Sequence, residues 1–165
     1  MCTAKELQAA FYYANWQRFE IIAPNIYLDW QFNEMDLLCL RKSGYVDEVE
    51  VKLTKQDFLA DFRKTVKVKG DLIKTHWGSE YHEYVDKPKH ELLAEGVPHC
   101  NRFSFLVPDE LKEKIEIPDY AGLYVFKNGR VHELKAATLL HKRKISTEHK
   151  LQIGRKMAYR YWNAA

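Results

Sequence analysis

Disulfide chemistry has little to draw on in this chain. Its cysteines are Cys2, Cys39 and Cys100, an odd number with no CxxC spacing. That pattern predicts reduced thiols and a cytosol-like compartment. Long apolar runs are absent too: no stretch approaches the roughly 20 residues that a membrane span needs. The N-terminal MCTAKELQAAFYYANW lacks an extended apolar core behind a basic start, so a soluble, unsecreted, cytoplasmic protein is expected. Repeats and low-complexity linkers are missing. What remains is 165 residues with 46% hydrophobic content, enough for one globular domain whose core needs no staples.

Charge is present in both signs but unevenly placed. Residues 111–165 carry 12 Lys+Arg against 5 Asp+Glu, and residues 1–110 carry 14 against 18. An acidic first part with a basic last part fits a cation site beside a phosphate-binding surface, and it also fits ordinary scatter.

The apolar spacing predicts an alternation of helices and strands. Ala4 to Trp16 reads as a helix with Leu7, Ala10, Phe11 and Ala14 on one stripe. Glu20 to Phe32 reads as one or two short strands broken at Pro24-Asn25. Met35 to Arg41 and Tyr45 to Leu53 form an antiparallel hairpin around Lys42-Ser43-Gly44. Thr54 caps a following helix, with Phe58, Leu59 and Phe62 inward. Val66, Ile73 and Trp77 can extend that helix, although Gly70 and the branched Val66-Lys67-Val68 oppose this. Lys89 to Glu95 reads as a short helix ended by Gly96. Arg102 to Val107 is a buried strand. Leu123 to Phe126 and Val131 to Leu134 flank Asn128-Gly129, a strong hairpin signal. A basic helix over about 146–162 follows, with Leu151, Ala158 and Tyr161 on one face. The interleaving argues for an α/β architecture around a mixed sheet.

The stretch DEVEVKLTK, Asp47 to Lys55, poses the functional question. Alternate side chains on a strand share a face about 6.5–7 Å apart, so Glu48, Glu50 and Lys52 point one way. One reading is a solvated sheet face with a weak surface ion pair. The other is half of a metal site. Asp36 is the one acid in the apolar run MDLLCL, and a short hairpin can bring it beside Glu50. Two carboxylates that close repel when ionised. A divalent cation offsets the repulsion, and Mg²⁺ takes hard oxygen ligands while keeping several waters. The Val51 carbonyl can add a third protein ligand. Lys52 can orient or deprotonate a water, or stabilise charge on a phosphate.

Asp36 followed by Glu50-Val51-Lys52 on paired strands, with a capped helix directly after, resembles the PD-(D/E)XK nuclease superfamily. More narrowly, EVEVKLTKQDFLADFRK and then CNRFSFLVPDEL and IPDYAGLYVFKNG resemble the small MmcB-like DNA-repair proteins and their phage relatives, over roughly residues 30–135. The resemblance implies a restriction-endonuclease-like core, a four- or five-stranded mixed sheet between helices. It also implies Asp36 and Glu50 as ligands of Mg²⁺ or Mn²⁺, and Lys52 as the catalytic cation. The chain departs from the pattern in lacking a proline before Asp36 and in carrying a long insert at about 65–100. Related nucleases often add an acid from the first helix, which makes Glu6 a candidate third ligand.

DNA is the expected partner, with a protein partner or a homodimer as further options. Lys55 lies near a helix N-terminus, where amides favour anions. Lys89 and His90 either face the site from the insert or lie on a surface helix. Lys142, Arg143, Lys144, Arg155 and Arg160 form a basic, aromatic-punctuated tail suited to phosphate contacts and base stacking, or an ordinary solvated helix. His76, His82, His90 and His99 crowd the insert beside Cys100 without the firm spacing of a zinc site. The expected activity is metal-dependent hydrolysis of DNA in repair, recombination or phage DNA metabolism. The alternative is a nuclease-fold module that binds nucleic acid or protein without turnover.

Overall fold

The computed structural model describes residues 2–28, 33–97 and 100–164. In chain order the elements are α1 (Ala4–Asn15), β1 (Ile21–Ile26), β2 (Met35–Leu40), β3 (Val46–Val51), α2 (Lys55–Asp61), β4 (Thr65–Lys74), β5 (Glu80–Pro88), α3 (Lys89–Ala94), β6 (Arg102–Pro108), a 3₁₀ turn (Asp109–Lys114), β7 (Ala121–Lys127), β8 (Arg130–Lys135) and α4 (Thr147–Ala164). No helix among the described residues is long and apolar enough to cross a membrane.

Six strands form a mixed sheet in the order β1-β2-β3-β6-β7-β8. The β1/β2, β2/β3 and β7/β8 pairs are antiparallel, and the central β3/β6 and β6/β7 pairs are parallel. Parallel neighbours need a long crossover, which α2, α3 and the segment between them supply for β3 and β6. The fold is therefore α/β with helices flanking a mixed sheet, as the alternation predicts. It has six strands rather than four or five, because β1 and β8 extend the two edges.

Each sheet face has its own packing layer. Leu7 and Phe11 of α1 meet Leu37, Cys39, Val49, Val51, Leu106 and Tyr124 on one face. Phe58 of α2, Leu93 of α3 and Ile153 of α4 meet Leu38, Leu40, Phe103, Phe105 and Val107 on the other. Every residue of β3 is buried as a result.

Local chemistry explains most boundaries. The Thr54 hydroxyl accepts from the Asp57 amide at the start of α2, and Gly96 takes a positive φ of 70° just after α3. Asn128 and Gly129 both sit at positive φ, which the tight β7–β8 turn requires. Four expectations are corrected, the first being that Leu59 of α2 faces inward: it is exposed, while Phe58 and Asp61 are buried. β1 runs unbroken through Pro24 and Asn25: on an edge strand proline has no ladder amide to lose, and Asn25 tolerates its φ of 47°. The helix after Thr54 ends at Asp61 instead of running toward Trp77, and Thr65 to Pro88 folds as the separate two-stranded sheet β4–β5. Branched residues favour the extended backbone there. On α4 the buried residue is Ile153, with Met157 partly buried, whereas Leu151 and Tyr161 are exposed.

Candidate functional site

The register of β2 against β3 sets Leu37 opposite Val49 and Leu38 opposite Glu48. The paired ladder ends at Leu37–Val49; continued by one step, the same register would set Asp36 opposite Glu50, where residues on antiparallel strands share a face. Asp36 Oδ2 accepts a hydrogen bond from the Val51 amide at 2.8 Å. Since a residue's N–H and C=O leave a strand on the same edge, the Val51 carbonyl faces the β2 side as well. Burial first, and then the charge of Glu50, push the Asp36 carboxyl up to about 6. The two acids therefore sense one another.

The face carrying Glu48, Glu50 and Lys52 is not solvated. Glu50 is 1% exposed and Lys52 6%, because α2 and α3 close over the end of β3. Isolated charges buried this deeply are prohibitively unfavourable, so all of them are paired. Lys52 Nζ lies 2.8 Å from Glu50 Oε2 and 2.7 Å from Asp61 Oδ1. Lys64 reaches the same two atoms at 3.3 and 2.6 Å. Lys89 Nζ bridges Glu48 Oε1 at 2.8 Å and Glu50 Oε1 at 2.9 Å. His90 Nε2 meets Asp61 Oδ2 at 2.7 Å, and its Nδ1 meets the Tyr120 hydroxyl at 2.6 Å.

The electrostatics follow from these pairs. Burial opposes ionisation of Glu50, but Lys89, Lys52 and Lys64 outweigh it and hold the carboxyl down to about 2. Asp61 is likewise held well below the usual carboxylate range: burial is overcome by the His90 hydrogen bond and by Lys89 and Lys52. Lys52 is buried as well, yet Glu50 and Asp61 raise it above the ordinary lysine value. It is an ammonium at neutral pH, equipped to donate hydrogen bonds and positive charge rather than to take a proton.

The described residues contain no group of three or more His, Cys, Asp or Glu arranged to hold a metal ion. The available oxygen set is two carboxylates, Asp36 and Glu50, with the Val51 carbonyl beside them. A magnesium-type cation that keeps much of its water shell can use so small a set, provided that Glu50 releases a lysine to it.

The other expected site residues fare differently. Glu6 does not join the acids. It lies on α1 across the sheet, and its carboxylate accepts from the Thr3 amide at 2.6 Å and from the Thr3 hydroxyl at 3.0 Å in a capping box. Lys89 and His90 are not surface phosphate contacts: the first turn of α3 turns them inward. Arg143 donates to the Gly96 and Val97 carbonyls, and Arg160 to those of Pro24 and Asn25, so both serve as ties between segments. Lys55, Lys142, Lys144 and Arg155 remain exposed. Arg155 lines a cavity of about 380 Å³ with Tyr27, Leu28, Gln152, Lys156 and Tyr159. His99 lies outside the described residues. His82 bonds the Gly70 carbonyl instead of joining a cluster.

Sequence reasoning gave no role to Glu48, Asp61, Lys64 or Tyr120. Asp61 had a usable signal: it sits three residues after Phe58 and one before Phe62, on the inward stripe of α2, where an unpaired carboxylate is untenable.

The molecule is thus an α/β protein with a mixed six-stranded sheet and a buried charge cluster at the end of its central strand. A solved structure shares this fold: SPO1766, a protein of unknown function from Silicibacter pomeroyi, 14% identical, superposes with a TM-score of 0.61 over 99% of this chain and 89% of that one. No family model and no curated protein matches the chain.

Proposed function

We propose that the protein is a Mg²⁺- or Mn²⁺-dependent nuclease of the PD-(D/E)XK type that hydrolyses DNA phosphodiester bonds in the cytoplasm. The observation that carries this reading is the convergence of Asp36, Glu50 and Lys52 at the β2–β3 end, with the Asp36 carboxyl pushed up by burial beside Glu50. Two acids sharing a buried corner favour a divalent cation between them. Asp36 and Glu50 would hold it, with the Val51 carbonyl as a further ligand. When bound, such an ion supplies Lewis acidity and neutralises charge on the phosphate.

The protein's own part is positioning and charge. Lys52, kept protonated by Glu50 and Asp61, donates to the attacking water or to a phosphate oxygen as negative charge grows there. Water adds to phosphorus, the bond to the 3′ oxygen breaks, and that oxygen takes the proton, leaving a 5′-phosphate and a 3′-hydroxyl. Exposed Lys55, Lys142, Lys144 and Arg155 offer backbone contacts whose strength falls with salt, and Tyr27 and Tyr159 beside Arg155 offer surfaces for base stacking.

One observation favours a second reading. Both oxygens of Glu50 are already held by lysines, as in a site whose charges serve folding alone, and the protein would then be a module that binds DNA or a protein partner without turnover. The test is cleavage of single-stranded, duplex and branched DNA with Mg²⁺ or Mn²⁺. Cleavage by wild type, with a loss of roughly 10²–10³-fold in Lys52→Ala, supports the nuclease. Equal cutting by Lys52→Ala sinks the mechanism. No cutting, no heat of Mn²⁺ binding and salt-sensitive DNA affinity together select the module.

A further inference from the structure

We propose that Asp61 and His90 are positioning residues for Lys52, so that the catalytic cation is held by a chain running from Tyr120 through His90 and Asp61. This inference rests on the nuclease reading for its kinetic consequence, but its geometric content stands apart from it.

A lysine side chain is a flexible four-carbon stem carrying three rotatable donors, and catalysis needs its head fixed within a fraction of an ångström. Glu50 alone cannot fix Lys52, since a cation binding Glu50 competes for the same oxygens. Asp61 is the second anchor, at 2.7 Å, and its charge helps keep Lys52 an ammonium when Glu50 is engaged elsewhere. With Glu50 and Asp61 both accepting, two of the three ammonium hydrogens are committed; when Glu50 turns to a cation, Asp61 alone keeps its hold and the freed hydrogens can reach a substrate oxygen.

Asp61 is itself held. It is ionised and can only accept, so His90 must donate to it through Nε2. The His90 Nδ1 shares a hydrogen bond with the Tyr120 hydroxyl at 2.6 Å. The imidazole cannot swing away: it stacks on Phe62 at a centroid distance of 4.2 Å and meets Phe103 edge-on at 5.5 Å. Four elements contribute: β3 leads into Lys52, α2 carries Asp61, α3 carries His90, and Tyr120 precedes β7. The β4–β5 insert joins α2 to α3, and the Lys89 amide donates to the Lys64 carbonyl at 2.9 Å, so the far end of the insert is pinned where His90 enters the site.

Two variants separate positioning from packing. His90→Phe keeps the aromatic stacking and deletes the donor, while His90→Gln restores a donor toward Asp61. We expect His90→Phe to lower kcat for DNA cleavage by roughly 10–100-fold, with KM changed by less than about threefold and His90→Gln recovering much of the loss. The readout besides activity is the ¹⁵N resonance of the Lys52 ammonium, identified by its loss in Lys52→Ala. It is visible in wild type without metal because its hydrogens are ion-paired, and it is broadened beyond detection in His90→Phe and Asp61→Asn. A sharp, unshifted Lys52 signal in folded His90→Phe overturns the proposal, as does wild-type kcat in that variant. If His90→Phe fails to fold, Tyr120→Phe and His90→Gln carry the same two readouts, with a smaller loss for the first and near-wild-type behaviour for the second. If wild type cuts no DNA at all, the nuclease reading fails, while the ammonium spectrum still decides whether His90 and Asp61 hold Lys52.

Discussion

Val49 and Val51 place one face of β3 against an apolar layer, while Glu48, Glu50 and the following Lys52 place the other against α2 and α3 in a cluster of paired charges. Both faces exclude water equally well. The apolar face is stabilised without direction, roughly in proportion to the area removed from water. The charged face depends on every partner being present: Coulombic attraction offsets desolvation only in the complete set. One face therefore tolerates replacement by residues of similar volume, and the other does not tolerate subtraction. A costly charged cluster at the end of a rigid central strand is where chemistry is to be sought.

The contrast can be broken experimentally. The largest effect is expected from removing one member of the charged set: Glu50→Ala or Asp61→Ala strands lysines in the interior and should cost roughly 3–5 kcal/mol in urea unfolding. A cost near zero would mean that water already reaches the cluster. On the opposite face, Leu106→Ala leaves a cavity and should cost about 2–5 kcal/mol, whereas Leu106→Met should cost less than about 1.5 kcal/mol; a larger penalty for Met would show that this face is shape-specific too.

The pH dependence sharpens the comparison next. Asp36 has a folded pKa of about 6, above its unfolded value, so between about pH 4 and 6 the folded state binds more protons and stability falls as pH rises. Without metal, Asp36→Asn should gain roughly 2–3 kcal/mol over wild type above that window and little below it, measured by unfolding across pH in chelator. Glu50 acts in the opposite sense: held at about 2, it stabilises above the usual carboxylate range, and that contribution disappears as pH falls through its folded value. The smallest effect is expected outside both layers. Trp77, 92% exposed near the β4–β5 turn, should change stability by no more than about 0.5 kcal/mol on substitution by Ala.

Several elements could be read directly. Thr54 and Asp57 mark the start of α2, Asn128-Gly129 fixes the β7–β8 turn, and the alternating apolar runs mark β2, β3 and β6, because each rests on local backbone or side-chain geometry. Asp36, Glu50 and Lys52 were legible as neighbours for the same reason: period two on a strand and a short hairpin decide which side chains share a face. The insert was not. Val66-Lys67-Val68 and Gly70 weighed against a helix, but the strand partner that settled the matter lies across the Trp77-Gly78 turn, at Glu80 to Pro88. The inner face of α4 was misassigned because Leu151 and Tyr161 match Ile153 in apolar character, and only the docking of the helix chooses among them.

By itself the sequence determined the α/β alternation, the hairpin register and the company of two acids and a lysine on one strand pair, since all of these follow from spacing along the chain. Only the tertiary structure decided that this company is buried, that Asp61, Lys89 and His90 complete it from helices on either side of the insert, and that Glu6 stands across the sheet. Burial and pairing depend on what covers a face, and the covering residues come from positions that no local pattern connects.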